Sequence, residues 1–288
     1  MNESQPQRRS HLRTWIVRWL LVLLVIVMIP VALLFFRQHS LIYYPRRYPD
    51  GFERLLPAGI EPLRYTTVVG EQVAFYVAPR CGAQLPARVW VMFSGNASVA
   101  LDWLYVIERN PNDTDGYLLI DYPGYGKSEG VAAIASTRGS ADKAVTTLAE
   151  RLGMPENELA PRLSVVGVSL GAAAALEFAA GHPIERAVLI APFTTLREEA
   201  ATLFSKPASY LLLENYDNRS RLRELAQRNT PPRVAIFHGT ADTLIPPRMG
   251  QELAESVPAI ATFFPIARAT HDTIVSDALI EIIVLMNH

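Results

Sequence analysis

From Leu163 to Ala180 the chain reads LSVVGVSLGAAAALEFAA, a strand-length apolar run that passes through Gly167-Val168-Ser169-Leu170-Gly171 straight into an alanine-rich helical stretch. A strand apolar at nearly every position is buried on both faces, the condition of an inner strand in a parallel sheet. Glycines two before and two after a serine allow a sharp strand-to-helix turn that lifts the hydroxyl clear of the sheet. This segment calls for an α/β fold with helices on both faces and marks Ser169 as a candidate nucleophile.

The remainder fits that frame. Runs of strand length and composition lie at Leu63–Val69, Gln72–Ala78, Arg88–Phe93, Tyr117–Asp121, Leu163–Val168, Arg186–Ile190, Arg233–His238 and Ala261–Phe264. Helical patterns occupy Val99–Arg109, Ser136–Leu152, Leu170–Ala180, Arg248–Val257 and Thr273–Met286. Strand and helix in alternation predict a mostly parallel eight-stranded sheet flanked by helices. The rhythm is interrupted over 194–230, which predicts a small helical cap insertion above the C-terminal strand ends, where ligands bind in such sheets. Its Leu203, Phe204, Tyr210, Leu211, Leu212 and Leu213 suit an acyl chain or the cap's own core.

Before this domain, Trp19 to Phe36 reads WLLVLLVIVMIPVALLFF without a charge, and the apolar stretch reaches back to Trp15 past Arg18. As a helix, such a run spans roughly 27 Å, close to the hydrocarbon thickness of a bilayer. It exceeds the hydrophobic region of a signal peptide, and no small-x-small cleavage site follows. The expected organisation is a tail at 1–14, a transmembrane anchor at 15–36, a connector at 37–62 and the α/β domain at 63–288. Arg8, Arg9, Arg13 and Arg18 precede the span against Arg37, Arg46 and Arg47 after it, a narrow bias that places the domain on the non-cytoplasmic side. Half the residues are apolar and 19% are charged, and 28 acids against 27 bases leave a formal charge of −1, so no basic surface for nucleic acid is expected. The single cysteine, Cys81, forms no internal disulfide.

A serine hydroxyl needs a base, and the base needs an orienting acid. Of six histidines, His11, His39 and His288 belong to the tail, the end of the apolar run and the last residue, His182 ends the helix after Ser169, and His238 closes a strand. His271 follows the last strand on a loop and is the candidate base. Asp242, on the loop after the penultimate strand, is the candidate acid; Asp272 reads as the N-cap of the final helix. Serine, acid and histidine in that order are the α/β-hydrolase arrangement. Oxyanion donors are expected from the backbone N–H of Leu170, next to the serine, and from Asn96, with Ala97 the alternative, in the Ser94-Gly95-Asn96-Ala97-Ser98 loop.

These residues together resemble the α/β-hydrolase superfamily, and within it the BEM46-like group of membrane-anchored serine hydrolases. The likeness rests further on Gln38-His39-Ser40-Leu41-Ile42-Tyr43-Tyr44-Pro45, on Asp121-Tyr122-Pro123-Gly124-Tyr125-Gly126-Lys127-Ser128-Glu129-Gly130, on Ala191-Pro192-Phe193 and on His238-Gly239-Thr240-Ala241-Asp242. It departs from the group at Ser94, where a histidine is usual, and at Thr270, where a glycine is usual. The resemblance implies a carboxylesterase, thioesterase or lipase-like enzyme acting through an acyl-enzyme on small or lipophilic acyl substrates, with no cofactor or metal. Two alternatives share the fold: a serine peptidase of the prolyl-oligopeptidase type, and a catalytically silent scaffold at the membrane.

Overall fold

The structure, a computed structural model, describes the backbone over 5–203 and 206–287; the side chains at 5–12, 27, 30, 31, 33, 34, 36 and 208 fall outside the described residues, as do Phe204 and His288. Its helices are α1 (Gln5–Ile42), α2 (Leu104–Ile107), α3 (Ile134–Leu152), α4 (Glu156–Leu159), α5 (Leu170–Gly181), α6 (Leu196–Leu203), α7 (Lys206–Ser209), α8 (Asn218–Ala226), α9 (Pro247–Ser256), α10 (Ile274–Asp277) and α11 (Leu279–Asn287). Its strands are β1 (Ile60–Thr67), β2 (Gly70–Val77), β3 (Val89–Phe93), β4 (Gly116–Ile120), β5 (Leu163–Val168), β6 (Arg186–Ile190), β7 (Arg233–Gly239) and β8 (Ala261–Ile266).

All eight strands join one sheet in the order β1-β2-β4-β3-β5-β6-β7-β8. β2 runs antiparallel to both its neighbours, and the pairs from β4 to β8 are parallel. The order doubles back at β3 and β4, so the chain crosses over on both faces. Period-2 alternation divides each apolar strand between two cores. Val89, Val91 and Phe93 of β3 pack on the side of α3, α5, α8 and α9, while Trp90 and Met92 pack on the side of α2, α10 and α11. β1 begins earlier than its composition suggests and contains Pro62. An edge strand tolerates this, since its outward N–H has no ladder partner to lose.

The C-terminal helical pattern breaks in two at Ala278, which leaves helical geometry. Ile274, Ala278, Ile282 and Met286 are fully buried at spacings of four. In a continuous helix each such step drifts by about 40°, so the break keeps all four on the sheet. Within the expected insertion, α8 packs against α5 and α9 as the crossover between β6 and β7. What reaches over the C-terminal strand ends is the shorter stretch of α6, α7 and the turn to Tyr216.

The backbone from Gln5 to Ile42 is one helix. Among the described residues no helix is long and apolar enough to cross a membrane. The expected span at 15–36 includes six side chains outside that description. The described apolar side chains from Trp15 to Ile29 are 44 to 60% exposed, on every side of α1. Its last turns are different. Gln38 and Tyr43 are buried, Gln38 Oε1 accepts from Leu213 N–H at 2.8 Å, and Tyr43 OH donates to Glu214 at 2.9 Å. What was expected to be connector from residue 37 onward therefore begins as helix docked on the domain.

Candidate active site

The turn between β5 and α5 is tight because two backbones nearly touch. A Cβ at Gly167 would lie 2.2 Å from Gly171 O, and one at Gly171 would lie 2.2 Å from Phe93 O. Only glycine fits either place. Between them Ser169 adopts φ 56°, ψ −120°, with its N–H bonded to Ile190 O at 2.8 Å. That conformation aims Oγ away from the sheet.

Three loops at the same sheet edge bring the expected partners to it. His271 Nε2 is 3.0 Å from Ser169 Oγ, and His271 Nδ1 is 2.8 Å from Asp242 Oδ2. The other carboxylate oxygen, Asp242 Oδ1, accepts the N–H groups of Leu244 and Ile245, each at 2.9 Å. Burial alone would raise the Asp242 pKa, but hydrogen bonds from His238, His271 and the Ile245 N–H outweigh it and hold the carboxyl well below its ordinary value. Two of the three side chains proposed from sequence, Ser169 and Asp242, thus each contact the third, His271. Asp272 is exposed on the cavity rim, and Thr273 rather than Asp272 occupies the N-cap of α10. The Thr273 hydroxyl makes no cap bond to the helix; it accepts from Thr270 N–H at 3.0 Å across the preceding turn.

Leu170 opens α5, and the first N–H groups of a helix have no intrahelical acceptor. Across the cavity, the Asn96 side chain is a junction: Oδ1 accepts from Tyr44 N–H (2.9 Å), Tyr125 OH (2.8 Å) and Ala97 N–H (3.1 Å), while Nδ2 donates to Ile42 O (2.6 Å). Ala97 N–H is therefore engaged. The Asp121–Gly130 motif braces this loop: Tyr122 OH bonds Ser94 O, Tyr125 OH bonds Asn96, and Asp121 Oδ1 accepts Ala100 N–H at 2.8 Å. Burial pushes Asp121 up to about 7 in spite of that N–H and the Tyr48 hydroxyl.

Above Ser169 lies a cavity of about 660 Å³. Leu41 and Ile42 from α1, Leu203 and Leu212 from the insertion, Leu244 and Val275 form its apolar walls. Tyr210 and Leu213, expected in the same role, face solvent. Two residues were given no role from the sequence. His238, fully buried, has Nε2 2.9 Å from Ile245 O and 3.4 Å from Asp242 Oδ2, so it supports the acid from below; its spacing of four from Asp242 was the available signal. Glu199 lines the cavity and is 6% exposed. Burial raises its pKa to about 7, with Asp242 adding to the rise and His271 opposing it. Nothing in LREEAATL marks which of its two glutamates turns inward.

Comparison with known proteins agrees with this architecture. The chain is 28% identical over 234 residues to an uncharacterized protein of Mycobacterium tuberculosis, covering 77% of this chain and 76% of that one. Among solved structures, an esterase of Pyrococcus furiosus superposes with a TM-score of 0.62 at 18% identity, covering 85% of this chain and 96% of its own. The esterase RhEst1 of a Rhodococcus species gives 0.56 at 16% identity, covering 80% and 98%. A puromycin-hydrolyzing peptidase of M. tuberculosis gives 0.58 at 16% identity, covering 79% of this chain and 39% of its own. The Alpha/beta hydrolase family matches residues 82–281, and with the sheet order and strand-to-helix turn described above, this chain belongs to that family.

Proposed function

We propose that the protein is a serine hydrolase that cleaves ester or thioester bonds of lipophilic acyl substrates. The observation that carries this reading is the continuous chain of contacts Ser169 Oγ, His271, Asp242 at the floor of a largely apolar cavity. His271 Nε2 takes the Ser169 proton as Oγ attacks the acyl carbon, and Asp242 stabilises the imidazolium. The N–H groups of Leu170 and Asn96 receive the oxyanion. His271 then protonates the leaving alkoxide or thiolate, and water, deprotonated by the same nitrogen, releases the acid and restores Ser169.

The membrane anchor belongs to the same proposal. The described apolar side chains from Trp15 to Ile29 are exposed on every side of α1, and a lipid phase would cover them. Because Leu41 and Ile42 at the end of that helix wall the cavity, an acyl chain leaving the bilayer would meet the pocket through α1 itself. The arginine bias around the run favours a domain outside the cytoplasm. Protease access in sealed vesicles tests this orientation: protection of the domain from the cytoplasmic side supports it, and digestion there reverses it.

An active-site-directed fluorophosphonate is expected to label Ser169. Ser169→Ala and His271→Ala should abolish labelling and lower ester hydrolysis by roughly four to six orders of magnitude. Persistent labelling of Ser169→Ala would overturn the assignment. A series of p-nitrophenyl esters should show kcat/KM rising with chain length until the cavity is filled.

A further inference from the structure

The cavity wall contains one group the proposed chemistry leaves unused. Glu199 projects from α6 into the pocket, is 6% exposed, and its Oε2 has no hydrogen-bond partner among the described residues. A buried polar atom without a partner costs about 1–3 kcal/mol, so such atoms call for an explanation. The neighbouring glutamate shows the contrast: Glu198 faces outward, accepts from Thr194 Oγ1 and pairs with Arg219 at 3.0 Å. His271 cannot satisfy Glu199, since its two nitrogens are engaged with Ser169 and Asp242. Among the described residues lining the cavity there is no lysine or arginine. Glu199 is thus a cavity-wall carboxyl without a partner among the described residues, placed to accept a donor from an occupant of the pocket.

Resting on the serine-hydrolase reading, we propose that Glu199 is a specificity-determining residue that accepts a hydrogen bond from an O–H or N–H donor carried by the acyl substrate near its scissile carbonyl. Proximity to the carbonyl follows from the cavity itself, whose wall Glu199 shares with Ser169 and His271. The substrate class is then amphiphilic: an apolar chain against Leu203 and Leu212, and a hydroxyl or ammonium a few bonds from the ester. A site built to bond such a group discriminates against the analogue that lacks it, because its own polar atom is then stranded.

The test compares kcat/KM for three matched esters, p-nitrophenyl hexanoate, 3-hydroxyhexanoate and 3-aminohexanoate, on the full-length wild type, Glu199→Leu and Glu199→Gln. Intrinsic reactivity cancels when the donor-to-plain ratio is compared between variants. The ratio should fall at least tenfold in Glu199→Leu; a fall for the hydroxy ester assigns a hydroxyl, and a fall for the amino ester an ammonium. Glu199→Gln keeps an acceptor without the charge, so it should retain the hydroxyl ratio and lose the ammonium ratio. A wild-type circular-dichroism spectrum and a cooperative thermal melt verify that each variant is folded, and if Glu199→Leu is not, the ratios in Glu199→Gln decide. Equal ratios in the wild type and the folded variants overturn the proposal while leaving the serine mechanism intact. A wild type that the fluorophosphonate does not label overturns both.

Discussion

Ser169 occupies a backbone region that costs a side-chain-bearing residue roughly 1–3 kcal/mol, and the bond from its N–H to Ile190 O holds it there. The residues around it carry similar tensions. His238, as the Nε2–H tautomer, donates toward Ile245 O and the Asp242 carboxylate from a site with no solvent exposure. Replacing it with leucine should lower kcat about tenfold with little change in KM, since Asp242 loses a supporting donor and His271 its fixed orientation; steady-state kinetics on a soluble ester measure the split. Asp121 works in the opposite electrostatic sense. Its folded pKa of about 7 stands above the unfolded value of roughly 4, so its contribution to stability is complete below pH 4 and is lost as pH rises through 7. Glu199 adds a contribution of the same sign, whereas Asp242, whose folded pKa is depressed, stabilises above about pH 4 and is lost in acid. Asp121→Asn keeps an acceptor for Ala100 N–H, and in thermal melts it should gain on the wild type at pH 8 and show no gain at pH 4.5.

At the scale of elements, α5 approaches β3 closely at Gly171. Gly171→Ala must push Phe93 O and Ser94 O aside, since the added Cβ would lie 2.2 and 2.5 Å from them. Overpacking of this kind should cost about 3 kcal/mol, seen in calorimetry as a drop of roughly 6–12 °C for a domain of this size. Element boundaries show where local pattern runs out. The inner strands β3 to β6 are evident from composition, because a strand buried on both faces has no polar face to obscure it. The break at Ala278 and the helical start of the connector are not, because each depends on what the segment docks against. The insertion is similar: Leu203 and Leu212 reach the cavity, while Tyr210 and Leu213, equally apolar, face solvent.

For the whole molecule, α1 divides into an exposed apolar length and a final pair of turns that belong to the domain. Asn96 ties Ile42 and Tyr44 to the loop beside Ser169, and Gln38 and Tyr43 tie the same turns to Leu213 and Glu214. Removal of residues 1–36 should therefore leave a folded hydrolase that acts on water-soluble esters but no longer floats with vesicles. Removal of residues 1–45 should lose at least tenfold in kcat/KM as well, through a loosened loop at Asn96. Flotation and ester assays on the two truncations separate the proposed anchoring from the support that the last turns give the site.

The amino-acid sequence by itself determined the parallel sheet and the strand-to-helix turn and singled out Ser169, Asp242 and His271 as candidates, because burial on two faces, glycine spacing and chain order are local or one-dimensional properties. Tertiary structure alone decided that α1 walls the pocket, that Asn96 is a junction of four hydrogen bonds, and that Glu199 rather than Glu198 turns inward. Those outcomes depend on which surfaces meet across long separations in the chain, and a side chain's burial and its want of a partner exist only once they have met.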